Sequence, residues 1–327
     1  MVPRSVPDSS QRAGVPWELL PNVSRTFALT IPVLEAPVRD QVAVAYLLCR
    51  IADTIEDAEG TPDRVRIQLF GLFLDMIRRP GNAESRAVFQ QHWCGEVDRH
   101  HRELIARCSD VLDAHAGLSP WARQSIEACL EEMVSGMIHF LDAGEGASEP
   151  KRPCGSVEDL EQYCHVVAGT VGILLTRLFS PELPESWATP LRYEQGRRFG
   201  LGLQITNVLK DAEKDRRRGI SYVPLQSEGT AAPLVHLALN HLDRAQEYIV
   251  SIPSARGDLR LFCVWACHLA LATLALIAQH PARAVKVSRE DLSHLLERSR
   301  ASVLNDAQLA EQYSDLRRHV TRALPVS

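Results

Sequence analysis

The sequence predicts an all-α protein, and three observations predict it. Alternating Val/Ile/Thr runs bounded by turn residues, the mark of strands, are nearly absent. Apolar residues recur at helical spacing along most of the 327 residues. Clusters of proline and glycine punctuate the periodic stretches. One domain over 16–327, a helical bundle around a central cavity, is expected to follow a flexible tail at 1–15.

The elements follow in order. A helix is expected over 36–57, where Val42, Ala45, Leu47, Leu48, Ile51 and Ile55 supply apolar packing faces. Thr61-Pro62 opens the next, 62–78, and Pro80-Gly81 separates it from a long helix at 83–115. Ser119-Pro120 starts 119–143, with Asp110 and Ser119 as local caps or turn residues. The stretch GEGASEPKRPCG at 144–155 divides that helix from 156–179, and Pro181 to Pro184 precede 189–217. Periodicity then gives helices at 231–251, 255–279, 289–301 and 305–322. There is no internal repeat, heptad array or low-complexity linker.

Composition bounds the function. Hydrophobic residues make up 45% of the chain, enough for a large core. Net charge is −5 and the pI about 6.2, with basic residues scattered apart from Arg216-Arg217-Arg218, so no nucleic-acid partner is expected. The eight cysteines form no CxxC pair and no zinc spacing; reduced, buried thiols in a cytoplasmic protein are expected. The N-terminal MVPRSVPDSSQRAGVP lacks the apolar core of a signal peptide. The longest apolar stretch, LFCVWACHLALATLALIA at 261–278, reads as a buried core helix rather than a membrane span. A soluble protein without a transmembrane helix, able to visit a membrane surface, is the expectation.

Two helices carry polar stripes. On 36–57, Tyr46, Arg50, Asp53 and Asp57 are spaced 4, 3 and 4 residues apart, which at about 100° per residue puts them on one face. Glu56 lies beside them. Carboxylates at i and i+4 can hold a hard cation such as Mg²⁺, which takes one or two carboxylates plus phosphate oxygens, and Arg50 can grip phosphate bidentately. An exposed helix end, with surface ion pairs worth under about 1 kcal/mol each, would show the same spacing. On 189–217, Gln204, Asn207, Asp211 and Asp215 are spaced 3, 4 and 4. Phe199, Leu203, Ile205, Val208 and Leu209 fill the other faces, and Lys210 and Arg216 to Arg218 surround the acids. Two such stripes in one helical chain suggest a diphosphate bound through bridging Mg²⁺.

With these segments in view, the sequence resembles the squalene/phytoene synthases, the head-to-head isoprenoid synthases of the all-α terpenoid synthase fold. VSRTFALTIPVL (23–34) looks like the family's N-terminal Ser-Arg-Ser-Phe segment, and YLLCRIADTIED (46–57) like its first aspartate-rich motif. YCHVVAGTVGILL (163–175) is similar to its tyrosine helix, FGLGLQITNVLKDAEKD (199–215) to its second aspartate motif, and RRRGISYVP (216–224) to the segment after it. The wording of the tyrosine helix looks more like squalene synthase than phytoene synthase, and the chain resembles the bacterial type of squalene synthase.

The resemblance implies that two farnesyl diphosphates condense to presqualene diphosphate, which NADPH reduces to squalene. It implies Mg²⁺, with Mn²⁺ as a substitute, on Asp53, Glu56 and Asp57 at one diphosphate and on Asn207, Asp211 and Asp215 at the other. It implies phosphate contacts from Arg25, Thr26, Tyr46, Arg50, Gln204, Lys210 and Arg218, and pocket aromatics at Phe27 and Phe262. Tyr163 would assist proton removal during cyclopropane closure, and Lys286 and Arg289, in VKVSRED (285–291), would help hold NADPH. Membrane contact would serve product release.

Three departures stand out. Lys214 occupies a position where the family commonly has Glu, and Ala266-Cys267 stands where many squalene synthases carry Pro-Gln. No GxGxxG follows a strand to mark a dinucleotide site. Other outcomes of the same site are phytoene, dehydrosqualene, hydroxysqualene, arrest at presqualene diphosphate, or prenyl transfer to another acceptor; a non-catalytic binding protein is the reading from a different class.

Overall fold

Helix ends are set by short polar side chains that accept the unpaired N–H groups of a first turn. Asn82 accepts from the Ser85 amide at 3.2 Å, Ser288 from the Asp291 amide at 3.0 Å and Asn305 from the Gln308 amide at 3.1 Å. Ser156 and Asp159 form a reciprocal capping box. Ser119 receives the Ala122 amide at 3.3 Å, the capping role expected of it.

The computed structural model describes residues 14–24, 26–143, 151–227, 230–281 and 283–324. Most of the expected tail, Arg25, and 144–150 of the linker segment lie outside the described residues. Among those described there is no strand, as the sequence predicts. The helices are α1 (Val38–Glu56), α2 (Asp63–Arg78), α3 (Ala83–His92), α4 (Arg99–Ala106), α5 (Cys108–Ala116), α6 (Pro120–Ala143), α7 (Val157–Cys164), α8 (Thr170–Phe179), α9 (Pro190–Arg217), α10 (Ala232–Ser251), α11 (Gly257–Gln279), α12 (Arg289–Ser302) and α13 (Asp306–Ala323). Single helical turns at Leu20–Val23 and Phe27–Thr30 precede α1.

The helix expected over 83–115 is a correction: it is three helices. Trp93 leaves helical geometry at ψ 115°, the Glu59 and Glu96 backbones pair across the gap, and Asp98 opens α4 as its cap. Arg107, at φ −102° and ψ 18°, then turns the chain into α5. Asp110 sits inside the first turn of α5, bonded to Arg107 at 2.7 Å, rather than capping it. Between α7 and α8 the backbone widens into one π turn, His165–Gly169.

The described residues form two compact units. One takes the residues up to Ala28 with Asp40–Leu130; the other takes Leu29–Arg39 and the chain from Glu131 on. In the first, Leu47, Leu48, Ile51 and Ile55 of α1 are buried with Phe70 and Phe73 of α2 and Phe89 of α3. In the second, α9 packs along α10 and against α7 and α8. There Gly172 and Gly196 let two backbones touch: a Cβ on Gly172 would collide with the Gly196 carbonyl. The stretches 157–182 and 257–279 are each long and apolar enough to cross a membrane, but 83% of the apolar window of α11 is buried, as expected of a core helix. All eight cysteines are free thiols and seven are buried; Cys94 is exposed.

Two buried histidines make stability depend on pH. Burial pushes His115 down to about 4 and His268, whose ring meets the Ser299 hydroxyl at 2.9 Å, down to about 3. Unfolding restores both to an ordinary value near 6.5, so the unfolded chain binds more protons between those limits. Stability is therefore full above about pH 6.5 and falls as pH drops, by about 2 kcal/mol per histidine at pH 5. Thermal melts between pH 7.5 and 5 should show this loss, and His268→Gln should flatten the slope; an unchanged slope would exclude His268 as a source.

Candidate active site

The first carboxylate stripe lies on α1, whose remaining faces are core. Asp53 keeps 33% of its side chain exposed and receives Arg50 Nη1 at 3.3 Å. Burial pushes the Asp53 carboxyl up to about 6; the Arg50 charge opposes this and the Asp57 charge adds to it. A carboxylate held this reluctantly gains when a cation arrives. Glu56 is half-buried and Asp57 exposed one turn further on. Tyr46 donates its hydroxyl to the Val23 carbonyl at 3.2 Å, and its ring lies 5.0 Å from that of Phe27, so two residues of the N-terminal motif meet the stripe's first residue. Thr26 is half-buried just before Phe27.

Arg50 has a partner that the sequence did not announce. Its Nε and Nη2 both point at His101 Nε2 of α4, at 3.1 and 2.7 Å, while His101 Nδ1 meets Asp98 Oδ2 at 2.6 Å. His101 was hidden within what read as the middle of one long helix.

The second stripe lies on α9. Asn207 donates to Gln204 Oε1 at 3.5 Å, and Lys210 Nζ reaches Asn207 Oδ1 at 3.1 Å and Asp211 Oδ2 at 3.2 Å. Asn207 is exposed, and Gln204, Asp211 and Asp215 are half-buried. Lys214 is exposed, where its charge is readily screened. Arg218 caps the helix, its amide meeting the Asp215 carbonyl at 2.9 Å.

Tyr163 of α7 is buried between aromatics. Its ring stacks on Tyr222 at 4.5 Å and meets the edge of Phe140 at 5.3 Å. Tyr222 is placed by the backbone pairing of Lys151 with Gly219 and Ser221, a contact between distant segments that no local pattern encodes. Phe262 of α11 is 3% exposed and packs edge-on against Phe179 at 6.0 Å. Lys286 and Arg289 are exposed at the start of α12.

The donors suit a hard dication: oxygen ligands one helical turn apart, with Asp53 carrying the cost of burial. Among the described residues no three His, Cys, Asp or Glu side chains form a ready-made metal cluster.

A helix carrying its carboxylates on a greasy scaffold, a second helix built alike, and a tyrosine sealed among aromatics belong to the all-α isoprenoid synthases. Solved structures agree on the fold. The complex of TcSQS with a ligand superposes with a TM-score of 0.73 at 24% identity, covering 94% of this chain and 96% of that one. A dehydrosqualene synthase gives 0.54 at 18% identity, covering 88% and 94%. Within this class, the chain belongs to the squalene/phytoene synthase family, whose profile matches residues 20–228. The squalene synthase of Eremothecium gossypii is 29% identical over an alignment covering 94% of this chain and 73% of that protein. That of Schizosaccharomyces pombe is 28% identical, covering 85% and 61%, and that of Nicotiana benthamiana 30%, covering 62% and 44%. The chain thus spans less than two thirds of the length of the last two.

Proposed function

We propose that this protein is a squalene synthase: it joins two farnesyl diphosphates head to head into presqualene diphosphate and reduces that with NADPH to squalene. The observation that carries the reading is the stripe of Arg50, Asp53 and Asp57 on an otherwise buried helix, in a chain of this family. Asp53, Glu56 and Asp57 on α1, and Asn207, Asp211 and Asp215 on α9, would each hold Mg²⁺ at one diphosphate. When bound, the ion supplies Lewis-acid neutralisation of the departing diphosphate.

The chain's own residues do the rest. Arg50 and Tyr46 orient one diphosphate from α1, while Lys210, with Gln204 and Arg218 along α9, meets the negative charge that builds as the other leaves. Thr26, next to Phe27 of the Phe27–Tyr46 pair, and Arg25 of the same sequence motif belong to the same phosphate-binding set. Holding both substrates turns a bimolecular coupling into an oriented one. The stacked pair Tyr163–Tyr222 and Phe140, edge-on to Tyr163, offer π faces to an allylic cation, as would Phe27 and Phe262. The Tyr163 hydroxyl takes part in proton removal on cyclopropane closure, with the released diphosphate as partner. Lys286 and Arg289 are exposed cations suited to the phosphates of NADPH, which supplies hydride when bound. A C30 hydrocarbon product favours contact of a cytoplasmic enzyme with a membrane surface.

The test is a product assay with farnesyl diphosphate and Mg²⁺, with and without NADPH. Squalene formed only with NADPH is expected. Presqualene diphosphate, dehydrosqualene or an oxygenated product in both arms would assign the chain to another activity of the same site. Tyr163→Phe keeps the stacked ring and removes the hydroxyl. It should lower kcat by about 10²-fold in a protein whose circular dichroism matches the parent's.

A further inference from the structure

We propose that His101 is a positioning residue, fixed in one tautomer by Asp98, that aims Arg50 at the diphosphate; the inference rests on the function proposed above. The geometry leaves little choice. Arginine can only donate, and both Nε and Nη2 of Arg50 approach the same atom, His101 Nε2, at 3.1 and 2.7 Å. That nitrogen must offer its lone pair, so the imidazole proton sits on Nδ1. Asp98 Oδ2, 2.6 Å from Nδ1, accepts that proton's hydrogen bond and selects the tautomer. Asp98 is itself immobilised: its other oxygen, Oδ1, caps α4 by accepting the amides of His100 at 2.8 Å and His101 at 3.2 Å.

The chain Asp98–His101–Arg50 therefore runs from a helix cap to the proposed phosphate grip. His101 holds one edge of the guanidinium and Asp53 takes one Nη1 hydrogen. Among the described residues, one N–H on each Nη is left without a partner. These are the donors a phosphate needs for a two-pronged contact. Without His101 the guanidinium would lose two of the contacts that fix its plane, and a flexible side chain would have to be ordered by the substrate instead. The cost then falls on diphosphate binding.

Three measurements on the full-length protein with Mg²⁺ test this. In the first, His101→Phe should raise the KM for farnesyl diphosphate and the inhibition constant of inorganic diphosphate by about tenfold each, the worth of a charge-assisted hydrogen bond, with a smaller change in kcat. In the second, His101→Gln should recover most of the loss, because an amide can accept from Arg50 and donate to Asp98. The third, ¹⁵N NMR of the His101 ring near pH 7.5, should show the proton on Nδ1 and a bare Nε2, whatever the substrate. A proton on Nε2 or a charged ring overturns the proposal, as does a His101→Phe protein whose two constants stay within twofold of the parent. If the parent turns over no prenyl diphosphate, the functional reading fails by itself, and the tautomer still decides the Asp98–His101–Arg50 arrangement.

Discussion

Asp53→Asn will lower kcat/KM for farnesyl diphosphate by on the order of 10³-fold or more, and Asp211→Asn will do the same. Each change removes one formal charge and leaves the shape of the side chain. At Asp53 burial disfavours the charged form and the Arg50 charge offsets this only in part, so a bound dication adds to what holds the carboxylate ionised. At Asp211 the carboxylate meets Lys210 at 3.2 Å while remaining partly open to solvent, so it too is available to a dication. Neither substitution creates a cavity. The Asp53→Asn protein should melt no lower than its parent, because a half-buried carboxylate whose charged form burial disfavours becomes a neutral amide. A variant that kept most of its turnover would refute the metal-binding role of that residue.

The second large effect is structural. Gly172→Ala should lower stability by about 3 kcal/mol, the upper range for overpacking a tight contact, and the melting temperature by on the order of 5–10 °C. The added methyl group would be driven into the Gly196 backbone carbonyl, and the same crowding recurs where Gly200 of α9 meets Ala168. Backbone cannot swing aside as a side chain can, so α8 and α9 must separate. α8 follows Tyr163 and α9 carries the Asp211 stripe, so turnover should fall with stability. Thermal melting and soluble yield measure the effect; a shift under about 2 °C would mean that the helices can part at little cost.

Much of this was legible from the chain. Periodicity and Pro/Gly punctuation located α1, α2, α6 and α9 within a few residues, because one face of each is core and the period survives in the sequence. The stripes were visible for the same reason: Asp53 and Asp211 break an apolar pattern at helical spacing. The division of 83–115 was not legible, since Trp93 to Asp98 contains only one glycine and the break depends on Glu96 pairing with the distant Glu59. Losing that break hid Asp98 as a cap, and with it the bearing of His101 on Arg50. Tyr222 stands in the segment RRRGISYVP, yet its stacking on Tyr163 arises from the pairing of Lys151 with the chain at Gly219 and Ser221, which local spacing does not record.

The burial of α11 bears on how this protein fails. Phe262, Val264, Trp265, Cys267, Leu271 and Leu274 are hidden along nearly its full length. Any variant or temperature that loosens the second unit releases an apolar segment about as long as a bilayer core is thick. Such a segment adheres to other chains and to lipid faster than it refolds. Damage to that unit will therefore be seen first as aggregated or degraded protein, whereas damage confined to the carboxylate stripes will be seen as soluble, folded and silent protein.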